Sequence, residues 1–164
     1  MDRTRAAAGS SLFFAVAPGV VAGLIPYLMT GWEGDAPIAL RVLGALVTAA
    51  GAAVLIHAFA RFVREGVGTP APVAPTQHLV VGGLYRYIRN PMYVAVVACA
   101  AGQAALFGDV ALLVYAAGLL VLFVAFVKGY EEPTLREQFG AEYDAYGGQV
   151  PGWWPRRPRR HRSG

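Results

Sequence analysis

A single cysteine, Cys99, stands in the whole chain, which excludes an internal disulfide and any cysteine cluster for zinc. Inside an apolar run such a thiol reads as a small packing residue. Charge is scarce too: 15% of the residues are charged and 56% are hydrophobic, whereas soluble domains carry about a quarter charged. That balance argues against an ordinary soluble domain and for a membrane protein. A cleavage site is also missing. Arg3 and Arg5 precede the first apolar run as they would in a secretory signal, but no small-residue site follows "LIPYLMTGWEG" and the run is long, so it reads as a retained span.

Four segments approach the roughly 17 to 25 residues that an apolar helix needs to cross a hydrocarbon core, inside which every backbone amide must be satisfied within the helix. They are residues 10–32, 38–63, 91–107 and 110–130. The expected fold is therefore all-α: one membrane domain over residues 1–164, a polytopic bundle of four transmembrane helices with a C-terminal interfacial amphipathic helix. Residues 66–90 form a cytoplasmic loop, residues 131–157 a cytoplasmic closing segment, and residues 158–164 a basic tail. The connections "GWEGDAP" and "FGD" hold no basic residue, and of the 14 Lys and Arg only Arg41 falls on their side. The charge bias puts the other side, with both termini, in the cytoplasm of an inner (plasma) membrane. Arg41 can snorkel from the outer end of the second span.

Lipid gives helices no hydrophobic reason to associate, so small residues that let backbones approach are the expected contacts. Gly19 and Gly23 form a GxxxG, Ala45, Ala49 and Ala53 repeat that spacing in the second span, and Ala98 with Gly102 repeats it in the third. Pro18 and Pro26 should kink the first span. Gln103 should bond across helices. The brevity of "FGD" forces spans three and four into an antiparallel hairpin, which brings Asn90 and Glu131, about forty residues apart, to one membrane surface.

"RNPMY" places Asn90 at the N-cap and Pro91 at the first position of span three. The positive helix end, beside Arg86 and Arg89, suits a carboxylate or phosphate. Across the hairpin, "VKGYEEPTL" supplies Glu131 and Glu132. They could simply stitch the hairpin to Arg86 and Arg89, yet adjacent helical residues point about 100° apart, so the two acids cannot share one partner face. A doubled carboxylate at a bilayer edge is costly unless each has a task.

The stretch "LVVGGLYRYIRNPMYVA", an apolar hairpin, and then "YEEPTLREQFGAEYDAYGGQVPGWWPR" resemble the superfamily of integral-membrane methyltransferases that includes isoprenylcysteine carboxyl methyltransferases and phospholipid N-methyltransferases. The resemblance spans roughly residues 66–157. It implies S-adenosylmethionine as methyl donor, bound at the cytoplasmic end of the last helices, and a lipophilic acceptor, an isoprenylcysteine-type carboxylate or a phospholipid-type amine, arriving from the membrane. The family's Arg-His-Pro-x-Tyr motif falls on Arg89, Asn90, Pro91 and Tyr93, and its paired acids on Glu131 and Glu132. Asn90 replaces the histidine of the carboxyl methyltransferases and cannot titrate near neutrality. Ala95 stands where glycine is frequent, and "AAG" at residues 100–102 only partly replaces the phospholipid enzymes' G-x-G.

On that resemblance, Glu131 or Glu132 accepts from the donor's ammonium or ribose, the first amides of span three with Asn90 take its carboxylate, Arg89 holds a glutamate, and Tyr85 and Tyr93 wall the sulfonium or adenine. A carboxylate acceptor needs no general base, whereas an amine must first lose a proton. His57 is either that base or a hydrogen-bonded structural histidine; with Arg89 it completes the catalytic candidates. No metal is expected. The alternative is a non-enzymatic membrane protein, a transporter subunit or scaffold, whose terminal charges only set topology.

The proline-rich stretch 66–79 is an extended loop, either a cover for the cofactor or a connector. After Pro133, Leu135, Phe139, Tyr143 and Tyr146 recur with Arg136, Glu137, Glu142 and Asp144 between them, which is an amphipathic helix. Trp153 and Trp154 should lie at headgroup depth, and the arginines after them should favour anionic lipid rather than nucleic acid.

Overall fold

A computed structural model describes residues 16–66 and 78–157, whose regular elements are all helices, with no strand among them. Residues 10–15 of the first expected span, most of the proline-rich loop and the basic tail lie outside the described residues. Helix α1 covers Val16–Thr30, α2 Ile38–Gly66, α3 Pro91–Phe107, α4 Val110–Phe139 and α5 Ala141–Gln149, with a short 3-10 turn at Gly83–Arg86. Two of them, α2 over Ile38–Phe62 and α4, are long and apolar enough to cross a membrane; α1 and α3 are apolar but shorter. Large apolar side chains such as Leu46, Ile56, Val114 and Val121 remain 64–70% exposed along α2 and α4. So broad an apolar belt is what a hydrocarbon surround accommodates and water does not.

Helix α3 is the centre of the bundle. One side of it meets α2 at backbone distance. A Cβ on Gly44 would strike the backbone of Gly102 and Leu106, one on Gly102 would strike Thr48 and lie 2.9 Å from Gly44 O, and one on Gly51 would lie 2.9 Å from Cys99 Sγ. Cys99 is buried there, with its thiol 3.7 Å from Thr48 O. The other side of α3 packs Val96 and Ala100 against Ala116 and Leu119 of α4, with Val21 and Ala22 of α1 beside them. Small residues do make the close approach: Gly102 of the expected third-span repeat is among them, whereas the repeats expected in the first two spans are not. Among the described residues nothing lies within 4 Å of a Cβ built on Gly19 or Gly23, and Ala45, Ala49 and Ala53 are exposed. Helix α2 is apolar on every side, so small-residue repeats occur on several faces and spacing alone does not select the one that packs.

In α1 an irregular turn precedes Pro26. Pro26 has no N–H to give to the preceding turn, and Val20–Leu24 widens into a π turn in which Ile25 N–H bonds to Val20 O. The carbonyls left over are taken by neighbouring helices: Gln103 Nε2 donates to Ala22 O at 2.6 Å and Tyr115 Oη to Val21 O at 2.7 Å. Gln103 also donates to Cys99 O at 3.1 Å. The expected cross-helix role of Gln103 is thus the repair of a proline-broken turn.

Helices α3 and α4 form a hairpin. Gly108, at φ +70°, closes α3 in the left-handed conformation that glycine tolerates, and Asp109 caps α4 by accepting from Leu112 N–H at 2.7 Å.

Candidate functional site

The hairpin sets the start of α3 beside the far end of α4. Pro133 repeats in α4 what Pro26 does in α1: the turn Val127–Glu131 widens to π, and Glu132 N–H bonds to Val127 O. Helix α4 therefore runs on past Tyr130, where the expected span ends, and carries both glutamates on its axis before it stops at Phe139. The amphipathic segment is broken at Gly140, whose φ of +55° and ψ of −126° suit glycine alone. Its apolar positions nevertheless share the inward side, with Tyr143 buried and Leu135, Phe139 and Tyr146 half-buried, while Arg136, Glu137, Glu142 and Asp144 are exposed.

The two acids take different partners, as their angular separation requires. Glu131 Oε2 accepts from Tyr93 Oη at 2.8 Å, and Glu132 Oε1 lies 3.1 Å from Arg89 Nη2. Arg89 also donates through Nη1 to Tyr143 Oη at 3.2 Å and sits 5.9 Å from that ring's centroid. The Tyr93 ring is 4.9 Å from Phe123 and 6.5 Å from Trp153. Asn90 occupies the N-cap position but does not cap α3 with its side chain. Its Nδ2 donates instead to Gly152 O at 3.1 Å. That bond uses the amide's donor and ties the start of α3 to the chain's last described segment.

That segment is a strap over the site. Arg89 N–H bonds to Pro151 O at 2.9 Å, Asn90 N–H to Gly152 O at 3.2 Å, and Arg156 N–H to Tyr87 O at 3.0 Å. Above it, Tyr146 Oη donates to Tyr85 O at 2.7 Å. Tyr85 is buried against Ala58 and Val80. Burial first, then the nearby Tyr146 and Glu131, pushes its phenol far above the ordinary tyrosine range. Burial does the same for Tyr146, against the opposing pull of Arg89. Both phenols therefore remain neutral hydrogen-bond donors.

Tyr85, Arg89, Asn90, Pro91, Tyr93, Glu131 and Glu132 are thus brought together. His57 and Arg86 are not: both are exposed, and on α2 it is the neighbouring Ala58 that turns inward beneath Tyr85. Tyr143, Tyr146 and the carbonyls of Pro151 and Gly152 also touch these residues; they lie in the segment expected to close over the site, but sequence reasoning assigns none of them an individual role there. The tyrosines carry a signal as the apolar stripe of an amphipathic segment; the carbonyls carry none. Two buried polar atoms of the site, Tyr85 Oη and Arg89 Nε, have no hydrogen-bond partner among the described residues. Such atoms are costly to bury unmet, and they leave two donors near the glutamates for a polar ligand. Among the described residues no cluster of metal-ligating side chains occurs.

Comparison with curated proteins gives no match. A family model, phospholipid methyltransferase, matches residues 39–142, which include all of α2 but its first residue, the α3–α4 hairpin and both glutamates. With more than half of its length matched, the chain belongs to the phospholipid methyltransferase family, a family of membrane methyltransferases.

Proposed function

We propose that the protein is an S-adenosylmethionine-dependent methyltransferase of four membrane spans, acting on a lipophilic acceptor at the cytoplasmic face of an inner membrane. The observation that carries this reading is the convergence of the α3 start with Glu131 and Glu132: Tyr93 on one acid, Arg89 on the other, and unmet donors at Tyr85 and Arg89 beside them. In the four-span arrangement α1 and α3 cross with α2 and α4. The positive-charge bias then sets both termini and the site on the inner side.

The residues fit the methyl donor in kind. Its ammonium and ribose hydroxyls ask for carboxylates, and Glu131 and Glu132 each retain lone pairs beyond the one protein contact described above. Its carboxylate asks for donors, which the first amides of α3 supply at the positive helix end. When bound, the donor supplies an electrophilic methyl on a sulfonium. The chain's own contribution is to position and dry the site. Arg89 fixes Glu132, Tyr93 fixes Glu131 and offers an aromatic face, and the strap with Trp153 keeps water from the centre. Asn90 cannot titrate near neutrality and acts as a positioning group, holding Gly152 against the helix start.

The test is transfer of labelled methyl from S-adenosylmethionine into extracted native lipids by the purified chain, followed by mass identification of the product. Label released by mild alkali identifies a carboxyl acceptor, and alkali-stable label an amine. Absence of label from every membrane fraction, with folded protein present, overturns the proposal.

A further inference from the structure

The strap has two faces. Its inner face bonds to Arg89 and Asn90, and Trp153 lies 6.5 Å from the Tyr93 ring. Its outer face presents Trp154, which is 81% exposed, followed by exposed Arg156 and Arg157. The bond from Arg156 N–H to Tyr87 O joins that outer face to exposed Arg86 and to Tyr87, which is 40% exposed. Two amphipathic rings and three guanidinium groups are thus exposed on two chain segments that this main-chain bond joins.

We infer that this surface is a docking site for an anionic phospholipid bilayer, and that docking holds the strap closed over the methyl-donor site. This rests on the function proposed above and adds its regulation by lipid. The occupant follows from chemistry and place. Aromatic rings of this kind settle at headgroup depth, and each arginine near an anionic surface gains about fivefold in binding. Arg89 and Asn90 are two and three residues beyond the bond at Tyr87, so a strap fixed on the outside has little freedom on the inside. Closure and docking are then thermodynamically linked, and each must favour the other by the same factor.

The experiment uses the full chain in bilayers of pure phosphatidylcholine and of phosphatidylcholine mixed with phosphatidylglycerol. One readout needs no cofactor: quenching of tryptophan by brominated lipid, with Trp154 isolated as the difference between the wild type and Trp154→Phe. Trp154 should be quenched more strongly by brominated phosphatidylglycerol than by brominated phosphatidylcholine. High salt or the triple variant Arg86→Gln, Arg156→Gln, Arg157→Gln should abolish that preference. The second readout is S-adenosylmethionine affinity, which should rise about tenfold on adding phosphatidylglycerol and not rise in the triple variant.

Equal quenching by both lipids, or quenching that follows added RNA rather than lipid charge, overturns the docking. A lipid preference with affinity independent of lipid charge overturns the link to the site. Preferential quenching with no cofactor binding in any bilayer refutes the function proposed above while leaving the docking intact.

Discussion

Arg89 should be the residue on which the cytoplasmic end of the bundle depends most. Its guanidinium makes two polar contacts, to Glu132 at 3.1 Å and to Tyr143 at 3.2 Å. Hydrogen bonds involving a charged group contribute about 1.5–3 kcal/mol each. The Arg89 and Glu132 side chains retain 18% exposure, so water screens part of this, and Arg89→Met is expected to cost about 2–4 kcal/mol rather than the sum of two full bonds. Glu132→Gln keeps an acceptor but loses the charge, for about 1–2 kcal/mol. The double variant should cost no more than Arg89→Met alone, leaving a coupling of about 1–2 kcal/mol. The assay is reversible unfolding in mixed micelles followed by tryptophan fluorescence, with all four proteins measured at one detergent composition. Additivity to within about 0.5 kcal/mol would mean that the pair does not interact, and would refute the geometry on which the site is built.

Three further outcomes follow from the packing and the broken turns. Gly102→Ala should separate α2 from α3, since its methyl meets Thr48 N at 2.7 Å and Gly44 O at 2.9 Å; the expected loss is about 1–3 kcal/mol, whereas Gly19→Ala should cost under about 0.5 kcal/mol at its open position. Gln103→Leu should destabilise by about 1–2 kcal/mol by orphaning Ala22 O. Pro26→Ala restores an N–H to that turn, and the cost of Gln103→Leu measured in its background should fall by at least half; an unchanged cost would show that the proline is not what Gln103 compensates. Tyr93→Phe removes the donor to Glu131 and should cost about 1–3 kcal/mol, read by the same unfolding assay.

Much of the site was legible because its signals are local. "RNPMY" fixes a helix start through what proline forbids and permits, and the three-residue "FGD" dictates the hairpin that returns the chain to Glu131 and Glu132. Packing was less legible. In helices apolar on every side, the sequence does not distinguish the lipid-facing side from the buried one. The repeats at Gly19–Gly23 and Ala45–Ala49–Ala53 therefore stand open, while Gly44, Gly51 and Gly102 make the close approach between α2 and α3. The expected span ends at residue 130, but a π turn absorbs the N–H that Pro133 lacks and the helix runs on to Phe139. The strap was the hardest to foresee, because its bonds run from the main chain of Arg89 and Asn90 to the carbonyls of Pro151 and Gly152. Main-chain pairing between distant irregular segments leaves no side-chain pattern.

The central claim is that the start of α3 and the two glutamates of α4 form a single binding site for S-adenosylmethionine. Equilibrium binding of the labelled cofactor to the chain in anionic nanodiscs, compared among the wild type, Glu131→Gln, Glu132→Gln and Asn90→Leu, tests it most directly. With helix content unchanged by circular dichroism, each substitution should weaken binding about tenfold or more, the worth of one charged or buried polar contact. Equal affinity in all four proteins would contradict the claim.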